Sequence, residues 1–354
     1  MTTESEGAPT PENKVSWRSP SNIALIKYWG KKPIQIPANA SISFTLSEAH
    51  SETSVAFSPR NSDQKWIQFL FEGQDEPTFA SRIERFLNSL KEEMPFLSDY
   101  NFKIESSNSF PHSSGIASSA SSMSALSLCL CDIENQVLGK KERNEHWYNR
   151  ASHIARLGSG SASRSVLPRI AVWGQSPHIP HSSDQYAIAY NTVNPIFHTF
   201  HDDVLIVSKE KKSVSSSQGH ALMDGNIYAS SRYQQADRNM SYILDFMQEG
   251  DLMAFGKVVE DEALSLHALM MCSDPSFILM KPNTLNVIEK IRAYRASTGH
   301  PIFFTLDAGP NVHILYPDSI QSEVDQFIKN ELLAFAEDGK VIKDQVGDGP
   351  IKLL

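Results

Sequence analysis

The chain has 354 residues, 40% of them hydrophobic and 21% charged, which is the composition of a globular protein of about two domains. Its 32 lysines and arginines against 41 aspartates and glutamates give a net charge of −9, which argues against a dedicated nucleic-acid-binding protein. Three cysteines without a CxxC spacing exclude a disulfide framework and indicate a reducing compartment, so we expect a cytoplasmic protein.

Predicted strands and helices are mixed along the chain, without an internal repeat. The polar residues 1–14 are predicted to form a disordered tail, not a signal peptide, and no apolar run is long enough to span a membrane. In chain order, apolar periodicity predicts strands over 21–29, 41–46 and 101–105, helices over 116–137 and 142–157, a strand over 204–207, three helices, strands over 302–306 and 312–316, and a helix over 319–336. This mixture predicts an α+β fold.

A proline- and histidine-rich segment over 175–201 is the predicted domain boundary, dividing the chain into domains 15–200 and 201–354. The pairs His178/His181 and His198/His201 lie in or near this segment without supporting carboxylates or cysteines, so we predict no metal site there. His267, on an apolar helix, is predicted to be a hydrogen-bonded core histidine.

A serine-dense loop before the helix over 116–137 is the most informative local feature. Glycine allows a close backbone approach, and the free N–H groups of a helix start favour an anion. The alternative is an ordinary serine-rich helix cap, and no Walker-type GxxxxGK[ST] run is present. The candidate phosphate-binding residues are Ser113, Ser114, Gly115, Ser118 and Ser119.

Three further segments carry polar groups that could take part in chemistry. Arg164 follows a run of glycines and serines and could hold a carboxylate bidentately, or could be a surface arginine on a flexible turn. Asp307 begins the turn DAGPN between two apolar strands and could be a base or only a turn acceptor. Lys27 interrupts an apolar segment, which is costly unless it meets an anion or reaches solvent from an edge strand.

Four segments in one order, NIALIKYWGKK, PHSSGIASSAS, GSGSASRS and FFTLDAGPN, closely resemble the diphosphomevalonate decarboxylase family of the GHMP kinase superfamily. The resemblance implies a two-lobed fold with a deep cleft between the lobes. It also implies ATP-dependent decarboxylation of 5-diphosphomevalonate to isopentenyl diphosphate, ADP, phosphate and CO₂, with ATP and Mg²⁺ as cofactors.

The resemblance also implies roles for individual residues. Asp307 matches the catalytic aspartate beside the tertiary 3-hydroxyl, Arg164 the arginine that holds the substrate carboxylate, with support from Asn22, and Lys27 a lysine near the phosphoryl-transfer centre. Ser119 matches the serine that meets the ATP phosphates, with Mg²⁺ carried by ATP and no firm protein ligand except, as a candidate, Ser119. The implied substrate-binding residues are Tyr28, Lys31, Ser159, Ser161, Arg164 and Ser216.

Two departures from the family pattern concern substrate detail more than reaction class. The phosphate loop is richer in serine than usual, and Leu167 and Pro168 replace a glycine-containing turn. Alternatives therefore stay open: a 5-phosphomevalonate decarboxylase, a kinase that stops after 3-phosphorylation, or a nucleotide-binding pseudoenzyme. The expected partner is a small-molecule substrate, with no nucleic acid and no membrane, and a homodimer is consistent with the family.

Overall fold

The computed structural model of the chain describes residues 13–110, 117–210 and 214–354. Residues 1–12 of the predicted tail lie outside these ranges, whereas Asn13 and Lys14 already belong to the first strand. The described residues form two lobes, each built around its own sheet, with a deep cleft between them. This architecture confirms the predicted α+β fold.

The described strands and helices follow one another in a mixed order. The strands are β1 (Asn13–Ala24), β2 (Lys31–Lys32), β3 (Ile36–Pro37), β4 (Ser41–Pro59), β5 (Ile67–Phe71), β6 (Gln74–Asp75), β7 (Tyr100–Asn108), β8 (Ile170–Trp173), β9 (Ile188–Ala189), β10 (His201–Leu205), β11 (Phe303–Leu306), β12 (Val312–Tyr316), β13 (Val341–Ile342) and β14 (Ile351–Lys352). The helices are α1 (Pro77–Ser89), α2 (Ser118–Val137), α3 (Glu145–Gly158), α4 (Ser216–Ala221), α5 (Ala229–Glu249), α6 (Leu252–Met271), α7 (Pro282–Thr298) and α8 (Gln321–Phe327).

The larger sheet forms the first lobe. Within the described residues its strand order is β14-β1-β4-β7-β5-β6, with β8 paired to β4 and β9 to β8. All neighbours are antiparallel except β5 and β7, which are parallel. The long strand β4 pairs with β1 along both of its halves, and the register shifts between Pro20 and Asn22. Its predicted apolar face is confirmed, because Ile42, Phe44 and Leu46 are all buried.

Helix α2 is central to the first lobe because it is apolar around most of its circumference. Such a helix must be covered on several sides, and α2 packs against β1, β4 and α3. Helix α3 begins at Glu145, three residues after the start predicted at 142. The Asn144 side chain accepts the Trp147 N–H and caps the helix at this position. Helix α2 is thus packed on several sides, and its start lines the cleft.

The second lobe contains the smaller sheet, in the order β11-β12-β10-β13. Strands β11 and β12 form the predicted antiparallel pair on either side of the DAGPN turn. Helix α6 confirms its predicted apolar face, which is buried along Phe255, Val259, Ala263, Leu266 and Met270. Helices α4–α7 occupy the region where three helices are predicted, because α4 is a separate six-residue helix.

The two lobes share a hydrophobic core. Apolar residues of β1 and β4 pack against α5, α6, β10 and β11 in one cluster, which joins the sheets of both lobes through the two helices. Strand β14 pairs with β1 at Trp17 and Arg18, so residues that follow the second lobe return to the first sheet. The base of the cleft is therefore held by continuous packing.

Several predicted boundaries are wrong, among them the end of the strand predicted over 41–46, which continues to Pro59 as β4. The strand predicted over 21–29 ends at Ala24, because the Leu25 and Ile26 amides both donate to the Ile42 carbonyl and the ladder with β4 stops there. The strand predicted over 204–207 begins at His201, since all of β10 pairs with β12.

The helix predicted over 319–336 is α-helical only in α8, and the chain then widens into a π-turn over Ile328–Leu332. The wider turn lets the adjacent residues Phe327 and Ile328 both enter the core.

Candidate active site

A cleft of about 560 Å³ lies between the end of β1, the start of α2, helix α4 and the β11–β12 turn. This volume is typical of a small-molecule site. Every described residue that the sequence nominates lines it: Asn22, Lys27, Tyr28, Lys31, Ser118, Ser119, Ser159, Ser161, Arg164, Ser216 and Asp307. The other three nominated residues, Ser113, Ser114 and Gly115, lie outside the described residues.

Lys27 and Asp307 face each other across the cleft. The Lys27 Nζ atom lies 4.0 Å from Asp307 Oδ1, and the lysine side chain is 2% exposed against 29% for the aspartate. Lys27 Nζ has no hydrogen-bond partner among the described residues. Burial lowers the pKa of Lys27 to about 8, although Asp307 and two further carboxylates raise it in part. At this separation, one oxygen of a ligand can lie within hydrogen-bond distance of both groups.

The backbone of Lys27 is held by a buried ion pair from the second lobe. The Lys27 amide donates to Glu262 Oε2 over 2.9 Å, and its carbonyl accepts from Arg232 Nη2 over 3.1 Å. Arg232 also pairs with Glu262, which accepts a further hydrogen bond from Asn239 over 2.7 Å. Lys27 lies beyond the end of β1, so the expectation that it interrupts a strand is wrong, and this clamp replaces the missing sheet bonds.

Arg164 and Asn22 form a second polar group in the cleft. Arg164 donates from Nη2 to Asn22 Oδ1 over 3.0 Å, and the Asn22 amide nitrogen donates to Ser165 Oγ over 2.7 Å. These bonds fix both side chains. The Arg164 Nη1 atom is buried without a partner among the described residues, and burial lowers the pKa of this arginine to about 10. A buried cation with an unused donor is a site for an anion.

Lys31 and Arg82 place positive charge at another end of the cleft. Burial lowers the pKa of Lys31 to about 8, and the charge of Arg82 lowers it further. Burial also lowers the pKa of Arg82. Lys31 Nζ donates to the neutral Gln35 Oε1 over 2.7 Å, and no described carboxylate forms an ion pair with either cation. Lys31 is half-buried and Arg82 is exposed, and two neighbouring cations without a described carboxylate partner favour a multiply charged anion.

A smaller apolar pocket adjoins the cleft. Its volume is about 90 Å³, and Arg82, Ser118 and Ser119 line both cavities. Three phenylalanines form its apolar wall, while Ser106 and Asn108 supply polar atoms. The Ser119 hydroxyl lies 3.3 Å from that of Ser159. The apolar, aromatic lining beside two serines at a helix start matches the chemistry of a flat heterocycle with a phosphate tail, and the pocket itself is smaller than a typical ligand site.

Two family models cover most of the chain. A model described as the diphosphomevalonate decarboxylase-like N-terminal domain matches residues 19–187, and one described as the mevalonate 5-diphosphate decarboxylase C-terminal domain matches residues 203–351. The chain belongs to the diphosphomevalonate decarboxylase family.

Individual members of the diphosphomevalonate decarboxylase family resemble the chain over most of their length. The diphosphomevalonate decarboxylase of Debaryomyces hansenii is 30% identical over 327 residues, which covers 86% of this chain and 80% of the relative. The crystal structure of mevalonate diphosphate decarboxylase from Staphylococcus aureus has a TM-score of 0.83 at 28% identity, covering 96% of this chain and 98% of that one. A structure of MDDEF in complex with MVAPP, AMPPCP and magnesium has a TM-score of 0.82 at 26% identity, with 96% and 98% coverage.

The turn that departs from the family pattern lies away from the cleft. Leu167 is buried, its carbonyl accepts a hydrogen bond from the Thr45 hydroxyl, and Arg169 takes the left-handed conformation at φ 54°. The Arg169 amide donates to Gly347, and its carbonyl accepts from the Thr45 amide. Arg169 therefore adopts, in this turn, a backbone conformation that is typical of glycine.

Sequence reasoning missed several residues that line the cleft of this family member. Arg82 comes from α1, an amphipathic helix that was not predicted, and Gln35 from a short turn. His220 follows Ser216 on α4, and its neighbour in the cleft, Trp29, lies within a quoted motif. No local signal marks Arg82 or Gln35, because only the tertiary fold brings them to the cleft.

The histidines outside the cleft have ordinary partners. His267 is buried and bonds to the Asp307 carbonyl over 3.0 Å, which confirms the predicted core histidine and also buttresses the DAGPN turn. His178 lies 3.5 Å from Asp237, and His201 lies 2.9 Å from Asp318. In the part of the chain that the structure describes, no three His, Cys, Asp or Glu side chains form a metal-binding group. Every described helix is too short or too polar to cross a bilayer.

Proposed function

We propose that the chain catalyses the ATP-dependent decarboxylation of (R)-5-diphosphomevalonate to isopentenyl diphosphate, ADP, phosphate and CO₂, as a step of isoprenoid biosynthesis. The observation that carries the proposal is the grouping of Asp307, Lys27 and Arg164 in one cleft, where the Lys27 Nζ and Arg164 Nη1 donors have no hydrogen-bond partner among the described residues. Family membership supports the same reaction, and the related MDDEF structure contains MVAPP together with AMPPCP and magnesium.

In this proposal the carboxylate of the substrate binds Arg164. The unused Nη1 donor of Arg164 points to that role, and Asn22 holds the guanidinium so that it does not turn away. A carboxylate held in this way keeps the C–C bond to its neighbouring carbon aligned with C3, from which the leaving phosphate withdraws electrons. Arg164 therefore orients the bond that breaks when CO₂ leaves.

The tertiary hydroxyl is placed between Asp307 and Lys27. Asp307 accepts the hydroxyl proton as the oxygen takes the phosphoryl group, and Lys27 offsets negative charge on that group. The phosphorylated oxygen then leaves with the electrons of the C3–O bond as phosphate. The electrons of the C–C bond to the carboxylate then form the new carbon–carbon double bond at C3, and CO₂ departs. Asp307 returns its proton to the departing phosphate, and as a carboxylate again it stabilises the positive charge that develops at C3.

Lys31 and Arg82 are proposed to bind the 5-diphosphate, since they are neighbouring cations that line the cleft without a described carboxylate partner. Tyr28, Ser159, Ser161 and Ser216 supply hydroxyl groups along the same wall. Two cations match a diphosphate better than a monophosphate. This match favours the diphosphate substrate over the 5-phosphomevalonate alternative.

The nucleotide is proposed to enter from the smaller pocket. The aromatic wall suits the adenine, and Ser118, Ser119 and the start of α2 lead from that pocket into the cleft. ATP supplies the phosphoryl group that makes the hydroxyl a leaving group, and its Mg²⁺ offsets the triphosphate charge. We assign to Ser119 the contact with that ion or with the phosphates, and the predicted roles of Ser113, Ser114 and Gly115 stay predictions.

The same proposal includes a cytoplasmic enzyme with a domain boundary near residue 201. Three unpaired cysteines, of which Cys129 and Cys131 are buried, support a reducing compartment. The gap between the two family models, from 187 to 203, supports the division into 15–200 and 201–354. A homodimer stays a prediction.

A paired turnover assay tests the reaction. With MgATP, we expect 5-diphosphomevalonate to yield ADP and CO₂ in equal amounts, and 5-phosphomevalonate to react with kcat/KM lower by about 10-fold or more, because a charged hydrogen-bonded contact is lost. Preference for the monophosphate would assign the chain to the alternative decarboxylases. ADP without CO₂ would make it a kinase, and no product from either substrate would favour a pseudoenzyme.

The pH profile tests the two lysines. Because burial lowers the pKa of Lys27 and of Lys31 to about 8, both are protonated below that pH and become neutral above it. We expect kcat/KM for 5-diphosphomevalonate to fall as the pH rises through 8, approaching about two powers of ten per pH unit. In Lys31→Arg the slope should decrease to about one, since arginine stays charged. A wild-type profile that stays flat to about pH 9.5 would contradict the assignment.

A further inference from the structure

His220 is a buried side chain of the cleft that the proposed reaction leaves unused. It lies on α4, is 6% exposed, and packs between two aromatic rings. The imidazole stacks on Tyr28 with ring centres 4.9 Å apart and lies 4.4 Å from the ring centre of Trp29. Gly219 permits this approach, because a Cβ there would come within 2.5 Å of the Trp29 ring. The imidazole is therefore fixed in position.

The hydrogen bond at one ring nitrogen defines the tautomer. The Gly30 amide donates to His220 Nδ1 over 3.0 Å. A backbone amide can only donate, so Nδ1 carries no proton, and in a neutral ring the proton is on Nε2. Burial and the nearby charge of Lys31 lower the pKa of His220 well below its ordinary value. The ring is thus a neutral donor at physiological pH.

His220 lines the cleft beside residues to which the proposed function assigns the diphosphate. His220 lines the cleft together with Lys31 and Ser216, and Nε2 has no hydrogen-bond partner among the described residues. Lys31 follows directly after Gly30, the residue that fixes the ring. The Nε2–H donor lies near the charge of Lys31, and the Gly30 hydrogen bond to Nδ1 fixes the proton on Nε2. Such a donor is suited to an anionic oxygen.

We propose that His220 is a substrate-binding residue that donates from Nε2 to a phosphoryl oxygen of the 5-diphosphate and so contributes to the recognition of that group. The proposal rests on the proposed function for the identity of the substrate. A neutral donor adds a directional contact without placing a further charge beside Lys31 and Arg82. The Tyr28 and Trp29 rings hold it in place before the substrate arrives, which reduces the entropy lost on binding.

Two substitutions separate this role from a structural one. In His220→Asn the side-chain oxygen can still accept the Gly30 N–H, but no donor reaches the Nε2 position. In His220→Gln the longer amide can place an N–H near the Nε2 position, and the acceptor for Gly30 is lost. We expect His220→Asn to raise KM for 5-diphosphomevalonate by about 10-fold or more, with kcat and KM for ATP changed by less than about threefold. His220→Gln should stay within about threefold of the wild type.

The reverse order, with His220→Gln impaired more than His220→Asn, would show that the Gly30 bond matters and would overturn the proposal. Equal loss in both variants, or an unchanged KM in His220→Asn, would overturn it as well. Thermal melts of the variants show whether either has lost its fold, and a misfolded His220→Asn is replaced by His220→Ala, which has no side-chain donor and, like His220→Gln, no acceptor for the Gly30 N–H.

A binding measurement keeps this inference separate from the proposed reaction. Inorganic pyrophosphate is titrated into the full chain by calorimetry, with the same variants. We expect wild type and His220→Gln to bind it with similar affinity and His220→Asn about 10-fold more weakly. If the wild type binds pyrophosphate in this pattern but turns over no 5-diphosphomevalonate, the proposed function fails and the His220 assignment stands. Equal pyrophosphate affinity in all three proteins overturns the assignment.

Discussion

Asp307→Asn should lower kcat for 5-diphosphomevalonate by at least about 100-fold and by up to about 10⁴-fold, because the amide can neither accept the hydroxyl proton nor offset positive charge at C3. The substitution keeps the size of the side chain, so the DAGPN turn and its bond to His267 should persist. ATP affinity should change by less than about threefold, since the proposed nucleotide pocket lies at the start of α2. Turnover by a quenched assay and ATP binding by calorimetry check both expectations.

Asp318→Asn is the matched control for this prediction. Asp318 follows β12, at the far end of the same strand pair, and its side chain is 63% exposed beside His201. Its replacement should leave turnover within about twofold of the wild type. Normal turnover in Asp307→Asn would reject the proposed chemistry. Because Asp307 raises the pKa of Lys27, the residual activity of Asp307→Asn should also decline at a lower pH than that of the wild type.

Glu262→Ala should lower the free energy of unfolding by about 3–5 kcal/mol, because it leaves the Arg232 charge buried without its partner. The Glu262 side chain is fully buried and bonds to Arg232, Asn239 and the Lys27 amide. Urea denaturation measures the change. Turnover should fall as well, since the loop that carries Lys27 loses an anchor on its backbone.

The neighbouring Asp261 provides the control for Glu262. It lies on the same helix and pairs with Lys257 at the surface, where the two side chains are 48% and 76% exposed. Asp261→Ala should change the free energy of unfolding by no more than about 0.5 kcal/mol. Equal stability losses in Glu262→Ala and Asp261→Ala would show that burial of the pair is not what matters. A double replacement of Arg232 and Glu262 by leucine and methionine should be less harmful than Glu262→Ala alone.

The elements recognised from sequence are those with strong local patterns. The alternation in the first part of β4, the apolar length of α2 and the apolar face of α6 each predict the observed element. Helix α1 was missed, since it is amphipathic but mostly polar and exposed, with few core residues. The second half of β4 was also missed, since its polar residues are stabilised by pairing with β1 and β7. Tertiary pairing explains what local patterns do not contain.

The candidate site shows the same division. Local sequence left the roles of Asp307, Arg164 and Lys27 open; the family resemblance of their motifs assigned them to chemistry, and the fold brings them to one cleft. Arg82 and His220 carry no such local sign. Arg232 and Glu262, which hold the backbone of Lys27, lie 205 and 235 residues after it in the sequence. No local sequence pattern could therefore predict this contact.

The pairing of β14 with β1 has a consequence for biosynthesis. The first strand of the chain receives its edge partner from Ile351 and Lys352, and Lys352 Nζ lies 3.0 Å from the buried Asp132 carboxylate on α2. The ribosome makes the first lobe early, yet the edge of that lobe stays open until residues 351–352 have left the exit tunnel. A nascent chain stalled before that point would leave the backbone of β1 at Trp17 and Arg18 open to pairing with other strands.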